Sequence, residues 1–416
     1  MAIRSTVHQT GAAAVTELLR FQPPDEDQRT IPCACGQAAK YEGMRSRPIL
    51  TVVGWARIDR PYFLCPACDS GQFPADVQLD IHKTDFSPGV RRMLAAVGSE
   101  APFAQGQNQV KLLAGLEVTA KAVERTAESI GADIEAGQQQ DIQRAKQLHL
   151  PAIAGPPIPY LYVQMDGTQV FVVKAETEGR AGRIPGQSAR TRECKLGAVF
   201  TQTAVDDQGR PVRDEGSTTY VGAIESAEEF GLRIYTEAWN RGWDRATIRV
   251  VMGDGSHWIW KIADQHFPGA IQIVDLYHAR QHLWDLARKL YPADEAAQKR
   301  WLMRKLDWLE NGKIEKLAAT LRKLADANTN PELVKAIRIE AEYLDSNRDR
   351  MRYPEFREKN LFVGSGVIEA GCKTVIGSRL KQSGMFWTLR GANAIIALRC
   401  CCISARFEDY WEQRAS

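Results

Sequence analysis

The chain has 416 residues, of which 44% are hydrophobic, 25% charged and 8% aromatic, and its net charge is +3. This composition excludes a disordered or fibrous protein, the length predicts two to four domains, and the charge is too small to indicate nucleic-acid binding by itself. Because no apolar run reaches the roughly 18–20 residues that span a bilayer and no apolar secretory segment follows the first residues, we expect a cytoplasmic protein without a membrane partner.

Residues 1–82 predict a zinc-ribbon-like module. Cys33 and Cys35 form one cysteine pair, and Cys65 and Cys68 form a second. Two pairs on tight turns, linked by a stretch long enough for a hairpin, predict four thiolates around one structural Zn²⁺. The single-residue gap of the first pair departs from the usual spacing of two. A redox-active pair and four unliganded thiols are the alternatives.

Residues 83–150 predict a helical DNA-binding domain. One helix begins at Pro88, a second covers 103–114, and a third, after a Gly-containing turn, carries Lys121 and Arg125. Helix, short turn and helix is the helix-turn-helix pattern, in which the second helix enters the major groove. We therefore assign Lys121 and Arg125 to DNA contacts, although any small helical domain can show the same pattern.

Residues 156–282 predict the first part of an α/β core. Three strands, a helix, a strand, a helix, a strand and a helix follow one another, which is the order of a ribonuclease-H-like core. These elements are expected at 160–165, 169–174, 195–204, 226–241, 247–252, 256–264, 270–274 and 276–290.

The strand signal ends after this region. Between residues 283 and 360 leucines recur at steps of three and four, which indicates helical packing, so we predict an all-helical insertion. Residues 361–416 then form the C-terminal part of the core, including a helix that carries Glu369.

Three acidic motifs indicate a metal site. Asp166 and Asp254 each follow a β-rich run, on strands expected to be neighbours, and Glu369 lies near the start of a helix that Ser365 can cap. Carboxylates brought to one point from separate elements are what a pair of divalent cations needs for phosphodiester chemistry. We therefore predict two Mg²⁺ or Mn²⁺ ions held by Asp166, Asp254 and Glu369.

Three further residues are candidates to act beside these acids. Asp275 and His278 follow the next strand and can face the same side, so they are candidates to assist the metal site. Capping of the helix by Asp275 and packing of His278 are the alternative. Lys373 shares a helix face with Glu369, so it can contact a phosphate or pair with Glu369.

Two basic stretches stand out on an otherwise balanced chain. One runs from 180 to 195 and includes Arg183, and the other runs from 373 to 399 without any acid. Such stretches suit a polyanion groove, although solvated helix and loop faces explain either stretch alone. We assign six of their side chains to DNA contacts: Arg190, Arg192, Lys195, Lys373, Arg379 and Lys381.

Several long runs resemble one transposase family. The runs GDGSHWIW (253–260), FPGA (267–270), VDLYHAR (274–280) and GSGVIEAGCK (364–373) are similar to bacterial insertion-sequence transposases of the ISKra type, which are related to the Mutator-like DDE group. The resemblance covers roughly residues 160–416. It implies a ribonuclease-H fold with a helical insertion and the catalytic triad Asp166, Asp254 and Glu369. It also matches Asp275 and His278 to the acid-or-cysteine/histidine motif of the wider group.

The expected function is therefore DNA transposition. Such a protein binds the terminal inverted repeats of its element, cleaves phosphodiesters there with two metal ions and joins the freed ends to target DNA. Because two ends must meet, we expect a homodimer or larger assembly on double-stranded DNA, associated with the nucleoid. A catalytically inactive DNA-binding regulator derived from such an enzyme is the alternative. A glycoside hydrolase with paired carboxylates explains neither the basic stretches nor the cysteine pairs.

Overall fold

The computed structural model describes residues 2–182 and 188–415 and contains both helices and β-sheets. The chain divides into two compact units, one formed by Met1–Ala132 with Arg406–Ser416 and the other by Asp133–Ala405. Within the described ranges, none of the helices combines the length and the apolar character needed to cross a membrane.

The first unit contains a four-stranded antiparallel sheet in the order β1-β2-β3-β4. Two long strands form a hairpin around residues 52–53, where Gly54 takes a φ of +105°. The elements of this part of the chain are α1 (Ala2–Leu18), β1 (Thr30–Pro32), β2 (Ala38–Thr51), β3 (Gly54–Leu64), β4 (Gly71–Gln72), α2 (Pro74–Gln78), α3 (Pro88–Glu100), α4 (Phe103–Ala114) and α5 (Ala120–Lys146). The boundary between the two units falls within α5.

The helices predicted after residue 83 are confirmed. Ser87 caps α3 by accepting a hydrogen bond from the Val90 N–H, and Gly115, with a φ of +71°, ends α4 in the left-handed conformation. Helix α1 was not predicted, because the turn-rich character of residues 1–82 hides an N-terminal segment that contains the good helix formers 12–14.

The second unit is built on a five-stranded sheet in the order β11-β10-β5-β6-β9. The central strand β5 is parallel to β10 and antiparallel to β6; β11 is parallel to β10, and β9 is antiparallel to β6. The elements are β5 (Ile158–Phe171), β6 (Thr191–Gln202), β7 (Ala204–Val205), β8 (Pro211–Val212), β9 (Thr219–Ala223), α6 (Ala227–Asn240), β10 (Ala246–Gly253), α7 (His257–His266), β11 (Ile271–Val274) and α8 (Leu276–Leu290).

Two strand predictions need correction. The expected strands 160–165 and 169–174 are one continuous strand, because β5 pairs with β6 from Tyr160 to Phe171 without a break. Although the sequence at Asp166 resembles a turn, hydrogen bonding to β6 keeps this segment in the strand. The fully buried strand β9 was not predicted.

Apolar burial fixes the strands that lead to the acidic motifs. Val250, Val251 and Met252 on β10 are all 0% exposed. Burial of each such side chain stabilises the fold by about 1.5–3 kcal/mol. Because β10 is anchored in this way, the residues that follow it emerge at a defined point of the sheet edge.

The remaining elements are helical. Between residues 283 and 360, all of which are described, there is no strand, and the leucine repeat is buried as predicted, at Leu302, Leu309, Leu317 and Leu321. The elements are α9 (Glu295–Glu310), α10 (Ile314–Asp326), α11 (Pro331–Ser346), α12 (Tyr353–Glu358), α13 (Gly366–Gly371), a π-helix (Cys372–Gly377), α14 (Ser378–Leu380), α15 (Leu389–Ile403) and α16 (Phe407–Ala415).

Candidate active site and zinc centre

Asp166 and Asp254 lie on neighbouring parallel strands, as predicted. The register of β5 and β10 places Gln164 opposite Met252, and each aspartate lies two residues further along its chain. Because parallel strands run in the same direction, both carboxylates come to the same edge of the sheet. Asp166 differs from expectation in one respect, since it lies within β5 and not at its end.

The Asp254 carboxylate is held by its own turn. Its Oδ1 accepts the N–H of Ser256 at 2.8 Å, and its Oδ2 accepts the Ser256 hydroxyl at 2.9 Å. The Tyr343 hydroxyl of α11 donates to the Asp254 carbonyl at 3.0 Å. A Cβ on Gly255 would come within 2.5 Å of the Tyr343 ring, so a glycine is needed where α11 packs against this turn.

Asp166 is a half-buried carboxylate in an unfavourable electrostatic environment. Its Oδ1 accepts the Gly167 N–H at 2.7 Å, and the Cys372 thiol donates to its Oδ2 at 3.4 Å. Burial raises the pKa of Asp166, and the negative charge of Asp254 raises it further, against the opposing effects of the Gly167 N–H and His278. A carboxylate whose ionisation is opposed by burial and by a neighbouring acid is suited to bind a cation.

Glu369 lies in the first helical turns of α13, but Ser365 does not cap that helix as predicted. The Ser365 side chain accepts no hydrogen bond from the helix backbone. Its hydroxyl instead donates to Glu369 Oε1 at 3.2 Å. Ser365 therefore orients the carboxylate and leaves the start of the helix to other partners.

Two side chains, one from the sheet and one just beyond its edge strand β11, accept hydrogen bonds from the start of α13. Gln164 Oε1 accepts the N–H of Ile368 at 3.1 Å, and Asp275 Oδ2 accepts the N–H of Ser365 at 2.5 Å. The first N–H groups of a helix have no partner within the helix, so these contacts fix where Glu369 lies. Gln164 was not predicted; its signal is a polar residue in an apolar strand, two residues before Asp166.

Asp275 caps α8, which confirms the capping alternative. It is 0% exposed, and its Oδ1 accepts the N–H groups of Tyr277 and His278. With the bond to Ser365, Asp275 links the starts of α8 and α13. The residue is therefore a positioning group whether or not it also touches a metal.

The structure brings three of the predicted site residues close enough to hold one metal ion. Ligand atoms of Asp275, His278 and Glu369 all lie within 4.8 Å of one another, and among the described residues the cysteine set is the other group of this kind. Asp166 and Asp254 are not in the first set. His278 nevertheless acts electrostatically on Asp166, so all five side chains belong to one region at the edge of the sheet.

The helix that carries Glu369 continues through an irregular segment. A π-helix, Cys372–Gly377, separates α13 from α14. Single π turns often occur at functional sites. Here the π segment begins at Cys372, the residue whose thiol donates to Asp166.

The predicted DNA contacts near the site have different outcomes. Lys373 is exposed, and the Lys381 ammonium donates to the hydroxyl of Thr168, two residues beyond Asp166. Arg379 is 0% exposed and lies against the Trp387 ring. Lys195 is buried and bound to Glu193 at 3.0 Å. The assignments of Arg379 and Lys195 were therefore wrong, because Arg379 is completely buried and the Lys195 ammonium is already bound to Glu193 and to the Glu225 carbonyl.

The other predicted DNA contacts lie at the surface or near it. Arg190 is exposed, and the partly buried Arg192 donates to the Glu176 carbonyl at 3.2 Å. In the first unit, Lys121 and Arg125 are exposed at the start of α5, and Lys121 pairs with Glu124 at 2.6 Å. Arg183 lies outside the described residues. These assignments stay predictions.

The four N-terminal cysteines form a compact cluster that fits zinc. Cys33 Sγ lies 3.7 Å from Cys68 Sγ, Cys35 Sγ lies 3.6 Å from Cys65 Sγ, and all four sulfurs are within 4.8 Å of one another. Tetrahedral zinc with Zn–S bonds of about 2.3 Å places its sulfurs about 3.8 Å apart. The donor set and its spacing therefore agree with one structural Zn²⁺.

Backbone turns present these thiols. The Gly36 N–H donates to the Cys33 carbonyl at 2.9 Å, and the Asp69 N–H donates to the Cys65 carbonyl at 2.9 Å. Gly36 takes a φ of +84°, which lets the first pair turn with a gap of only one residue. Backbone hydrogen bonds, above all from the Ala67 N–H, lower the pKa of the Cys65 thiol to about 7, which favours a thiolate at this position, whereas hydrogen bonds among the thiols raise the pKa of Cys35 and of Cys68.

Comparison with known proteins adds little to this site. No protein family and no curated protein matches the chain in sequence. Among solved structures, the chain is similar to the Drosophila P element transposase strand transfer complex, with 8% identity over 81% of this chain and 82% of that chain and a TM-score of 0.28. A similarity at this level does not establish a shared fold, so the function must be argued from the site.

Proposed function

We propose that this protein is a DNA transposase of the DDE type, with Asp166, Asp254 and Glu369 as its catalytic carboxylates. The observation that supports the proposal is that Asp166 and Asp254 come from neighbouring parallel strands, while Gln164 of the sheet and Asp275 at its edge hold the helix of Glu369. The resemblance to ISKra-type transposases rests on the same residues.

The strand order supports a ribonuclease-H-like core. The first strand of the five-stranded sheet lies at its centre, antiparallel to the second and parallel to the fourth. This arrangement places the first two acids side by side although most of the core separates them in sequence. The helices of 283–360 then come between β11 and the helix of Glu369, as in the proposed family.

The donor set suits magnesium or manganese. Asp166, Asp254 and Glu369 offer hard oxygen ligands and leave coordination positions for phosphate and water. When bound, a pair of such ions activates the attacking oxygen and stabilises the leaving oxygen of a phosphodiester. The raised pKa of Asp166 fits this role, because a bound cation offsets the burial of the Asp166 charge and its repulsion by Asp254.

The remaining residues position these three. Asp275 and Gln164 hold the start of α13, and Ser365 orients the Glu369 carboxylate through its hydroxyl. Asp275 and His278 are near enough to Glu369 to complete a metal site. We assign Asp275 to positioning, because three backbone N–H groups already occupy its carboxylate.

The first unit supplies DNA binding in this proposal. The zinc-ribbon-like module is stabilised by Zn²⁺ on its four cysteines, and α5 presents Lys121 and Arg125 to the inverted repeats of the element. Since two ends must be brought together, the active form is a homodimer or a larger assembly on DNA.

One experiment tests the catalytic assignment. Purified protein with Mg²⁺ or Mn²⁺ should nick or join DNA that carries the inverted repeats flanking its gene. Asp254→Asn should abolish this activity and leave DNA binding intact. Asp264→Asn is the matched control, since Asp264 is an exposed aspartate on the neighbouring helix α7. Undiminished cleavage by Asp254→Asn would refute the triad, and binding without cleavage by the wild-type protein would indicate an inactive regulator.

A further inference from the structure

The hairpin of α9 and α10 carries a cluster of lysine and tryptophan side chains far along the chain from the carboxylates. We call Trp301, Lys305, Trp308 and Lys316 the lysine–tryptophan cluster. The Lys305 ammonium lies 5.6 Å from the centre of the Trp301 ring and 4.5 Å from that of Trp308, and the Lys316 ammonium lies 4.4 Å from Trp308. Spacings of four and three residues put the first three side chains on one face of α9.

Lys305 is buried without a counter-charge. It is only 8% exposed, and among residues 2–182 and 188–415 it has neither an ion-pair nor a hydrogen-bond partner for its ammonium. Lysine is almost never buried unless it is paired. Burial lowers the pKa of Lys305, and the positive charges of Arg304 and Lys316 lower it further. The two indole rings attract the ammonium but do not neutralise it.

Three acidic side chains of the same helical hairpin bind residues other than these lysines. Glu310 binds Arg280 at 2.6 Å, and Glu315 binds Arg352. The Asp307 carboxylate accepts a hydrogen bond from Asn311 at 2.9 Å. The cluster is therefore a local concentration of positive charge that none of these three acids neutralises.

We propose that the lysine–tryptophan cluster binds a backbone phosphate of double-stranded DNA. A lysine ammonium is a compact charge that suits a phosphate oxygen, and three neighbouring cations that form no ion pair within the described residues, Arg304, Lys305 and Lys316, suit a polyanion. This inference rests on the proposed function, because it takes the DNA substrate as the ligand. It adds a contact on the helical insertion, which neither the basic stretches nor the helix-turn-helix pattern indicated.

The test is a salt titration of DNA binding with matched lysine variants. The probe is a labelled 30-bp duplex of arbitrary sequence, followed by fluorescence anisotropy between 50 and 200 mM NaCl. Lys305→Met should weaken binding on the order of tenfold and reduce the slope of log affinity against log salt by about one. Lys299→Met, an exposed lysine on the same helix, should change affinity by less than about twofold. Lys305→Met should melt at or above the wild-type temperature, because it removes a buried unpaired charge.

The outcomes separate this inference from the proposed function. An unchanged salt slope in Lys305→Met, or an equal reduction in Lys299→Met, overturns the phosphate site. If Lys305→Met unfolds, Lys316→Met decides the question, because Lys316 is exposed. The slope of log affinity against log salt must then fall by about one in Lys316→Met. Metal-dependent cleavage by the wild-type protein with unchanged slopes in both variants refutes only the cluster, whereas failure of the wild-type protein to bind DNA refutes both proposals.

Discussion

The contact between Gln164 and the helix of Glu369 can be tested by one substitution. Gln164 is 0% exposed on β5. Its Oε1 accepts the Ile368 N–H at 3.1 Å, and its Nε2 lies 3.5 Å from the Gly364 carbonyl. Gln164→Leu nearly preserves the volume of the side chain but can neither accept nor donate a hydrogen bond.

The expected magnitude follows from the position of Ile368. It is the third residue of α13, so its N–H has no partner within the helix. A buried donor left without an acceptor costs about 1–3 kcal/mol, and the long contact with Gly364 adds little. Because Glu369 follows directly, a displacement of about 1 Å should lower DNA cleavage about 10²-fold.

Gln202→Leu is the matched control. Gln202 is also 0% exposed, on the neighbouring strand β6. Its Oε1 accepts the Tyr162 hydroxyl at 2.6 Å, and its Nε2 donates to the Asn360 carbonyl at 3.0 Å. The same substitution thus removes two hydrogen bonds of a buried side chain in the same sheet, and neither of them is made to α13.

Urea unfolding gives the stability of each variant, and metal-dependent cleavage of DNA with the inverted repeats gives its activity per folded molecule. We expect both variants to lose comparable stability and only Gln164→Leu to lose activity. Wild-type cleavage by Gln164→Leu, or an equal loss of cleavage in Gln202→Leu, would show that this hydrogen bond does not position Glu369.

Three further predictions concern the metal sites and the DNA contacts. Cys65→Ser should reduce bound zinc from about one ion per chain to none, as measured by elemental analysis, and should lower the melting temperature of the first unit. In metal-free protein, burial and the Asp254 charge raise the pKa of Asp166, so its ionisation opposes folding as the pH rises. Asp166→Asn should therefore melt above wild type at pH 7 in EDTA, and the difference should shrink as the pH falls towards about 3.9, the pKa of an unfolded aspartate, and be absent below it. Arg125→Ala should weaken binding to the inverted repeats about tenfold in an anisotropy assay, and unchanged binding would exclude α5 as the reading helix.

The sequence was sufficient to predict features that depend on neighbouring residues. The cap at Ser87, the glycine that ends α4 and the leucine repeat of the helical insertion are all local patterns. The pairing of Asp166 with Asp254 was also predictable, because both follow apolar strands in an order that brings those strands together. In each case the local sequence signal and the element found in the structure agree.

The errors concern features that depend on distant partners. A charged residue in sequence does not reveal which side of a helix is covered, so Arg379 and Lys195 were assigned to the surface although both are buried. The partner of Gln164 lies about 200 residues away, so no local pattern could indicate it. The continuity of β5 across Asp166 depends on its ladder with β6, which overrules a local turn signal.

The three carboxylates are held by different parts of the chain, and this explains how an insertion can separate the second from the third. The hydroxyl of Tyr343, in the segment 283–360, donates a hydrogen bond to the backbone carbonyl of Asp254. Glu369 is braced by Gln164 and Asp275, which belong to the sheet and its edge. Among the described residues, no hydrogen bond joins the start of α13 to the segment 283–360. The side-chain hydrogen bonds that hold the start of α13 thus come from the sheet and its edge, whereas the segment 283–360 contacts the Asp254 turn.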